Sequence, residues 1–364
     1  MAAEDRGKEF YEACSKGDLQ KVKDLTNDCT NDVINWKNPG SVNSTGLHIA
    51  SQYGRKGVVE YLLTLPQIQV NQINGDGETP LHVACWERQD KTVKILLKDP
   101  RIWVNPRNRN GVTPFFFACQ RGDEEIVKIL LQDERIQVNQ GNENEQTPLH
   151  IACVTSGGDL IQMLLSAERG IDVNQGNEVG RTPLHEACKS GDREIVKVLL
   201  KYGRGIDVNQ GDEDGETPLH LACEAEKEKV VKILLKDERI DVNLGNEDVK
   251  TPLWIACDEG NKEIVKTLLV MGRNIDVNLV NREARTSLWI ACKKGKIDIV
   301  KILIASGKAI DVTLKTFDGA NFWENLSPTQ IARKQGREDI AKLLDEYEHN
   351  PARATVKMRK ELGK

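Results

Sequence analysis

Apolar and polar positions recur along this chain with a period of 34 or 35 residues. The phrase Thr-Pro-Leu-His-x-Ala-Cys, or a close variant, begins at Thr45, Thr79, Thr113, Thr147, Thr182, Thr217, Thr251 and Thr286, with successive spacings of 34, 34, 34, 35, 35, 34 and 35. In its clearest copy, Thr182–Cys188 leads into Gly191-Asp192, Ile195-Val196 and Leu199-Leu200, and closes on Ile206-Asp207-Val208-Asn209. The physical chemistry of that copy predicts two short helices. Threonine caps a helix N-terminus, and proline at the first helical position gives up only an N–H that has no partner anyway. Leu184 and Ala187 share one face of the first helix, and the small Ala and Cys allow close approach of a neighbour. Gly191 falls where the chain must leave that helix, a position suited to positive φ. Gly54, Gly122, Gly260, Gly295 and Gly336 occupy the same place. Ile195, Val196, Leu199 and Leu200 form the stripe of a second helix with one buried side.

One such unit cannot bury its apolar side alone, so each depends on its neighbours. Degenerate copies extend the series at both ends. Near the start, Phe10, Ala13-Cys14, Gly17-Asp18, Val22 and Leu25 keep the pattern, with Lys8 and Glu9 in place of Thr-Pro and Tyr11 in place of histidine. Near the end, Ser327-Pro328-Thr329-Gln330-Ile331-Ala332 opens a last copy in which Asp345 replaces an apolar residue. Polar residues on an outward stacking face are what terminal caps require. The unit resembles the ankyrin repeat. That resemblance implies an all-α fold: a curved ankyrin-repeat solenoid of about ten helix-turn-helix units with capping repeats at both ends. The expected organisation is a capping repeat over 1–40, eight repeats over 41–316, an extended finger and second cap over 317–348, and a basic tail over 349–364. The finger follows from a 41-residue gap between Thr286 and Ser327, which places an insertion at Phe317–Leu326 with Phe322 and Trp323 near its tip. The tail carries Arg353, Lys357, Arg359, Lys360 and Lys364, and is expected to be a short helix or a solvated end, with a partner-binding tail as the alternative.

Composition narrows the possibilities. A length of 364 residues could mean two or three domains, but a repeat array removes that inference. Aromatic residues make up only 5%, consistent with an aliphatic, small-residue core, and a net charge of −5 gives no general attraction to nucleic acid or acidic membranes. No apolar run approaches the roughly 18 to 20 residues of a membrane span, and the polar N-terminus is unlike a secretory signal, so a cytoplasmic protein is expected. Of nine cysteines, Cys14, Cys85, Cys119, Cys153, Cys188, Cys223, Cys257 and Cys292 share one column of the repeat, leaving Cys29 outside it. A reducing compartment suits them better than a disulfide framework.

The most suggestive chemistry is His-x-x-Cys on a helix, at His82/Cys85, His150/Cys153, His185/Cys188 and His220/Cys223. Three residues apart, the two side chains share a face, as a zinc pair or a nucleophilic dyad would require. Copies one repeat apart would lie about 10 Å from each other, too far to share one metal. Phe116, Trp254 and Trp289 also replace the histidine, keeping bulk but not ligand chemistry. The ankyrin resemblance implies instead that this histidine hydrogen-bonds backbone and ties repeats together. It also marks Asn139, Asn174, Asn209 and Asn243 as positions that can be hydroxylated. No nucleotide-binding, hydrolase, kinase or metalloprotease motif is present. The expectation is a non-enzymatic protein without cofactor or metal.

Partner-binding residues should lie where the fold leaves the sequence free. The residue before each threonine reads Ser44, Glu78, Val112, Gln146, Arg181, Glu216, Lys250, Arg285, and the residue after the cysteine column reads Gln52, Trp86, Gln120, Val154, Lys189, Glu224, Asp258, Lys293. The resemblance places both columns on turn tips and the inner helix surface. Three clusters stand out. One combines Trp86, Arg88, Trp103, Arg107, Arg109, Val112 and Arg121, rich in the residue types that dominate binding energy, beside a Phe115-Phe116-Phe117 run read as core. A second is acidic, Asp212, Glu213, Asp214, Glu216, Glu224 and Glu226, and a third basic, Arg282, Arg285, Lys293 and Lys294. The expected function is a scaffold or adaptor that binds another protein or peptide segment, as a monomer, without nucleic acid and without membrane insertion. A regulatory or targeting subunit for an enzyme on another chain is the alternative.

Overall fold

The computed structural model describes residues 3–27, 31–315 and 325–363. The expected Phe322 and Trp323 finger tip, Cys29 and Lys364 lie outside them. The described chain is helical, with two isolated bridges, Asn38–Ser44 and Val280–Thr286. It divides into two compact units, residues 1–178 and 179–364.

In the first unit, helix pairs follow one another: α1 (Ala3–Lys16) and α2 (Leu19–Thr26), then a single turn α3 (Asn31–Ile34), then α4 (Gly46–Gln52) and α5 (Lys56–Thr64), α6 (Pro80–Trp86) and α7 (Asp90–Leu97), α8 (Pro114–Arg121) and α9 (Glu124–Leu131), α10 (Pro148–Thr155) and α11 (Gly158–Ser166). First helices pack on first helices, α1 to α4 to α6 to α8 to α10, and second helices on second, α2 to α5 to α7 to α9. The second unit repeats the scheme with α12 (Pro183–Ser190) and α13 (Arg193–Tyr202), α14 (Pro218–Glu224) and α15 (Glu228–Leu234), α16 (Pro252–Glu259) and α17 (Lys262–Met271), α18 (Ser287–Lys293) and α19 (Ile297–Ala305), α20 (Pro328–Lys334) and α21 (Glu338–His349), closed by α22 (Pro351–Glu361).

The local signals act as expected. Each threonine of the phrase is an extended N-cap with proline following at most copies. Gly54, Gly122, Gly191, Gly260, Gly295 and Gly336 all take positive φ where the first helix ends. The cores are aliphatic and small: Leu184, Ala187 and Cys188 are fully buried with Val196 and Leu199, and Leu200 is half-buried.

Two polar ladders within each unit hold the repeats in register. The Val-Asn asparagine reaches the next repeat with both ends of its amide. Asn209 donates through Nδ2 to the Arg239 carbonyl at 2.7 Å and accepts the Asp241 N–H at 2.9 Å; Asn71, Asn105, Asn139 and Asn243 do the same. At the turn tips an Asn or Asp accepts two backbone N–H groups, as Asp212 does from Asp214 and Glu216. The next tip then docks by one backbone bond, Glu247 N–H to the Asp214 carbonyl at 2.8 Å.

The tips also demand a left-handed residue two positions before the threonine. Gly77, Gly111, Gly180 and Gly215 meet that demand, but Val249 adopts φ 59° in the same column. A β-branched side chain there is strained, and Val249 is largely exposed, so it contributes little burial in return. Val249→Gly should therefore stabilise the protein by up to about 1 kcal/mol, even after the extra backbone entropy glycine loses on folding. A raised midpoint in urea melts checks this; an unchanged or lowered one contradicts it.

The C-terminal segment is a packed helix. α22 lies on α19 and α21, burying Ala354 and Met358. Polar contacts fasten it to its neighbours while its basic residues stay exposed: Arg359 Nε donates to the Ala305 carbonyl at 2.9 Å, Lys357 pairs with Glu346 at 2.6 Å, and Lys301 of α19 pairs with Glu361 at 2.8 Å.

Candidate interaction surface

The histidine column is built into the framework. His48, His82, His185 and His220 each receive the N–H of the capping threonine on Nδ1 at 3.0–3.2 Å. Their Nε2 atoms lie 2.9 Å from the carbonyls of Glu78, Val112, Glu216 and Lys250 in the following repeat. A carbonyl only accepts, so Nε2 carries the proton and Nδ1 the lone pair. Both nitrogens are spent in a neutral ring, and no lone pair is left for a metal or for base catalysis. Burial holds His48, His82 and His220 down to about 4 and lowers His185 as well. The eight described cysteines form no disulfide and are buried, and burial pushes the thiols of Cys14, Cys85, Cys119, Cys223, Cys257 and Cys292 upward, away from the nucleophilic thiolate. Among the described residues no group of three His, Cys, Asp or Glu side chains is placed to hold a metal ion, and no helix is long and apolar enough to cross a membrane.

The two variable columns prove unequal. Positions before the threonine are mostly half-buried, with Glu78, Val112, Glu216 and Lys250 set against the histidine of the preceding repeat, whereas positions after the cysteine column are mostly exposed. Val112 shows the consequence. It is only 7% exposed and its carbonyl takes the His82 ring N–H, so it offers a partner almost no side-chain surface. Arg181 likewise serves the fold: it is half-buried, and its Nε donates to Asp212 at 3.1 Å. Gln146 accepts from Asn142 Nδ2 at 3.2 Å, and Asp258 is paired with Lys294 at 3.0 Å. Lys189, Asp214 and Glu224 are exposed, and Gln120, Glu216, Lys250, Arg285 are half-buried. Glu216 is raised above the usual carboxylate range, first by burial and then by Glu224 and Asp212 nearby.

In the first unit the aromatic and basic residues are brought together only in part. The Trp86 indole, 37% exposed, lies 4.9 Å from the Phe117 ring, and the Arg121 guanidinium covers it at 4.7 Å. Arg88, at φ 60°, reaches the Arg121 carbonyl at 3.2 Å and the Asp123 carboxylate at 3.3 Å. Arg107 and Arg109 are exposed on the neighbouring turn tip and form no ion pair among the described residues. Trp103 stands apart: 63% exposed, its backbone N–H held by Asn71, with no ring or cation contact among the described residues. Two participants escaped the sequence pattern. Phe117, taken for core alone, supplies the ring against which Trp86 leans. Tyr53, half exposed with the Arg55 guanidinium 5.7 Å from its ring, adds a second aromatic of the same character. An exposed tyrosine at the end of α4 was the available signal for it.

A family model described as ankyrin repeats in three copies matches residues 10–107, 101–177, 169–246 and 253–355. Among solved structures, the chain is similar to the ankyrin repeat domain of Bcl-3, described as a unique member of the IkappaB protein family. The two are 26% identical with a TM-score of 0.56, over 64% of this chain and all of that one. Periodic capped helix pairs, asparagine clamps between repeats and the span of the family match together place this chain in the ankyrin-repeat family.

Proposed function

We propose that this protein is a non-enzymatic scaffold or adaptor that binds a partner protein through exposed residues of its first helices and turn tips. Ankyrin repeats generally mediate protein–protein contacts. The observation that carries the reading here is Trp86. A large indole is left more than a third exposed while Phe117 and Arg121 hold it in one orientation. An aromatic anchor fixed before binding loses little entropy when a partner covers it, and Trp and Arg are the residues most often dominant at interfaces. Arg121 on its ring, with Arg107 and Arg109 exposed on a turn tip of the same unit, favours a partner segment with acidic character. The reducing cytoplasm suits a protein with this many buried cysteines outside disulfides.

The test is partner capture with the full chain as bait, comparing wild type with Trp86→Ala and Arg121→Glu. Trp86→Ala should lose at least one specific partner by about ten-fold or more, an effect of the size seen for interface anchors. Because Trp86 is on the surface, thermal melting should show the variant folded. Identical partner sets for wild type and both variants would overturn the assignment of this surface.

A further inference from the structure

We infer that the first-helix face around Trp289 in the second unit docks an acidic segment of a partner protein, with a carboxylate seated between Arg285 and Lys293. The inference rests on the partner-binding reading and gives it a defined chemistry at a different surface.

The buried floor beneath this face changes along the second unit. The column held by His185 and His220 passes to Trp254 and Trp289, both buried. Each indole then carries cations. Lys250 Nζ lies 5.0 Å from the Trp254 ring, while the Arg285 guanidinium at 4.7 Å and Lys293 Nζ at 5.4 Å both sit against Trp289. The Trp289 ring is itself pinned, donating through Nε1 to the Leu326 carbonyl at 3.1 Å, the role that histidine Nε2 plays in other repeats.

Two positive charges thus share one ring, and the carboxylates nearby neutralise them only in part. Asp258 is engaged by Lys294 at 3.0 Å, and Asp248 by Lys250 at 2.8 Å. Glu283 forms a loose ion pair with Arg285 at 3.8 Å, which leaves Lys293 as the uncompensated charge. Lys293 forms no ion pair among the described residues, and the buried Arg285 Nε has no acceptor there. A guanidinium stacked on an indole keeps its in-plane N–H groups free at the edge, the geometry that receives a carboxylate. Like charges held together this way gain most from an incoming anion, because the ring has already fixed their positions.

The layout favours a chain carrying carboxylates over a single small anion. Lys250 on Trp254 is one repeat away from Arg285 and Lys293 on Trp289, about 10 Å for packed helices. An extended segment covers that distance in roughly three residues. Glu216 and Glu224, beside His220, reverse the charge in the preceding repeat and bound the site on that side.

A fluorescein-labelled peptide of repeated Glu-Ser-Gly, with a Gln-Ser-Gly counterpart, tests this by anisotropy on the full chain at low salt. The expected result is binding of the Glu peptide and not the Gln peptide. Arg285→Gln with Lys293→Gln should weaken it by about ten-fold or more, and Lys236→Gln, an exposed cation just beyond α15, should leave it unchanged. Lys293→Glu, at an exposed position, provides a second variant if the double substitution disturbs packing. Equal binding by wild type and Lys293→Glu would overturn the proposal, as would full displacement of the peptide by an equal concentration of inorganic phosphate. Failure of wild type to bind the Glu peptide would sink this site alone, since Trp86-dependent partner capture is measured separately.

Discussion

Between pH 7 and pH 5 the protein is expected to lose several kcal/mol of folding free energy, and the buried histidines are the cause. His48, His82 and His220 ionise near 6.5 in an unfolded chain but are held to about 4 in the folded one. The unfolded state therefore binds more protons throughout that interval, and stability falls as pH falls. The contribution is fully present above 6.5, declines from there toward 4, and is gone below it. Each pKa unit corresponds to about 1.4 kcal/mol, so each ring contributes about 3 kcal/mol at neutral pH. The mechanism has two parts. Burial disfavours the charged ring first. In addition, protonated Nδ1 would point a hydrogen at the threonine N–H it now accepts from, breaking the cap of the same helix. Glu78 and Glu216 oppose the trend, since burial raises them and the folded state takes up protons there earlier. Urea midpoints at pH 7 and pH 5 measure the effect. His82→Phe, which copies the Phe116 already present in the same column, should flatten the dependence. Equal midpoints at the two pH values would refute it.

The second large effect is expected from a cavity in the second unit. Leu234 in α15 is fully buried, and Leu234→Ala should cost about 2 to 5 kcal/mol. At the lower end that multiplies the open population roughly 30-fold. Most repeats, those opened by Thr217 and Thr251 among them, carry their own reporter, because the buried thiols are held up by burial and react with a disulfide reagent only when their repeat opens. A repeat that cannot bury its face alone should pull its neighbours open with it. Faster labelling is therefore expected at Cys223 and Cys257 together. Acceleration confined to Cys223 would show that the repeats open independently.

The framework was legible because it is local and repeated. Threonine caps, glycine exits and apolar stripes depend on bonds within a few residues, so one well-formed copy predicts the others. The glycine column at positive φ followed directly from that logic. The clamping asparagines were visible as a column, but their grip on the next repeat was not, because that bond joins residues about thirty positions apart. Binding residues were harder still. Variability marked two columns alike, yet Val112 is buried and Arg181 is tied to Asp212, because the position before the threonine is drawn into the packing of its own unit. Variation there records different ways of filling a half-buried niche.

The sequence by itself determined the repeat, its two helices and the family. Those depend on spacing and short-range hydrogen bonds. Tertiary structure decided which variable residues face solvent and which cations share a ring. Trp86 leans on Phe117 under Arg121, and Arg285 and Lys293 meet on Trp289, through side chains that only packing brings together. The Arg285 and Lys293 pairing joins residues from two separate columns of the repeat, one before α18 and one at its end, and their electrostatics arise from distances no periodicity encodes.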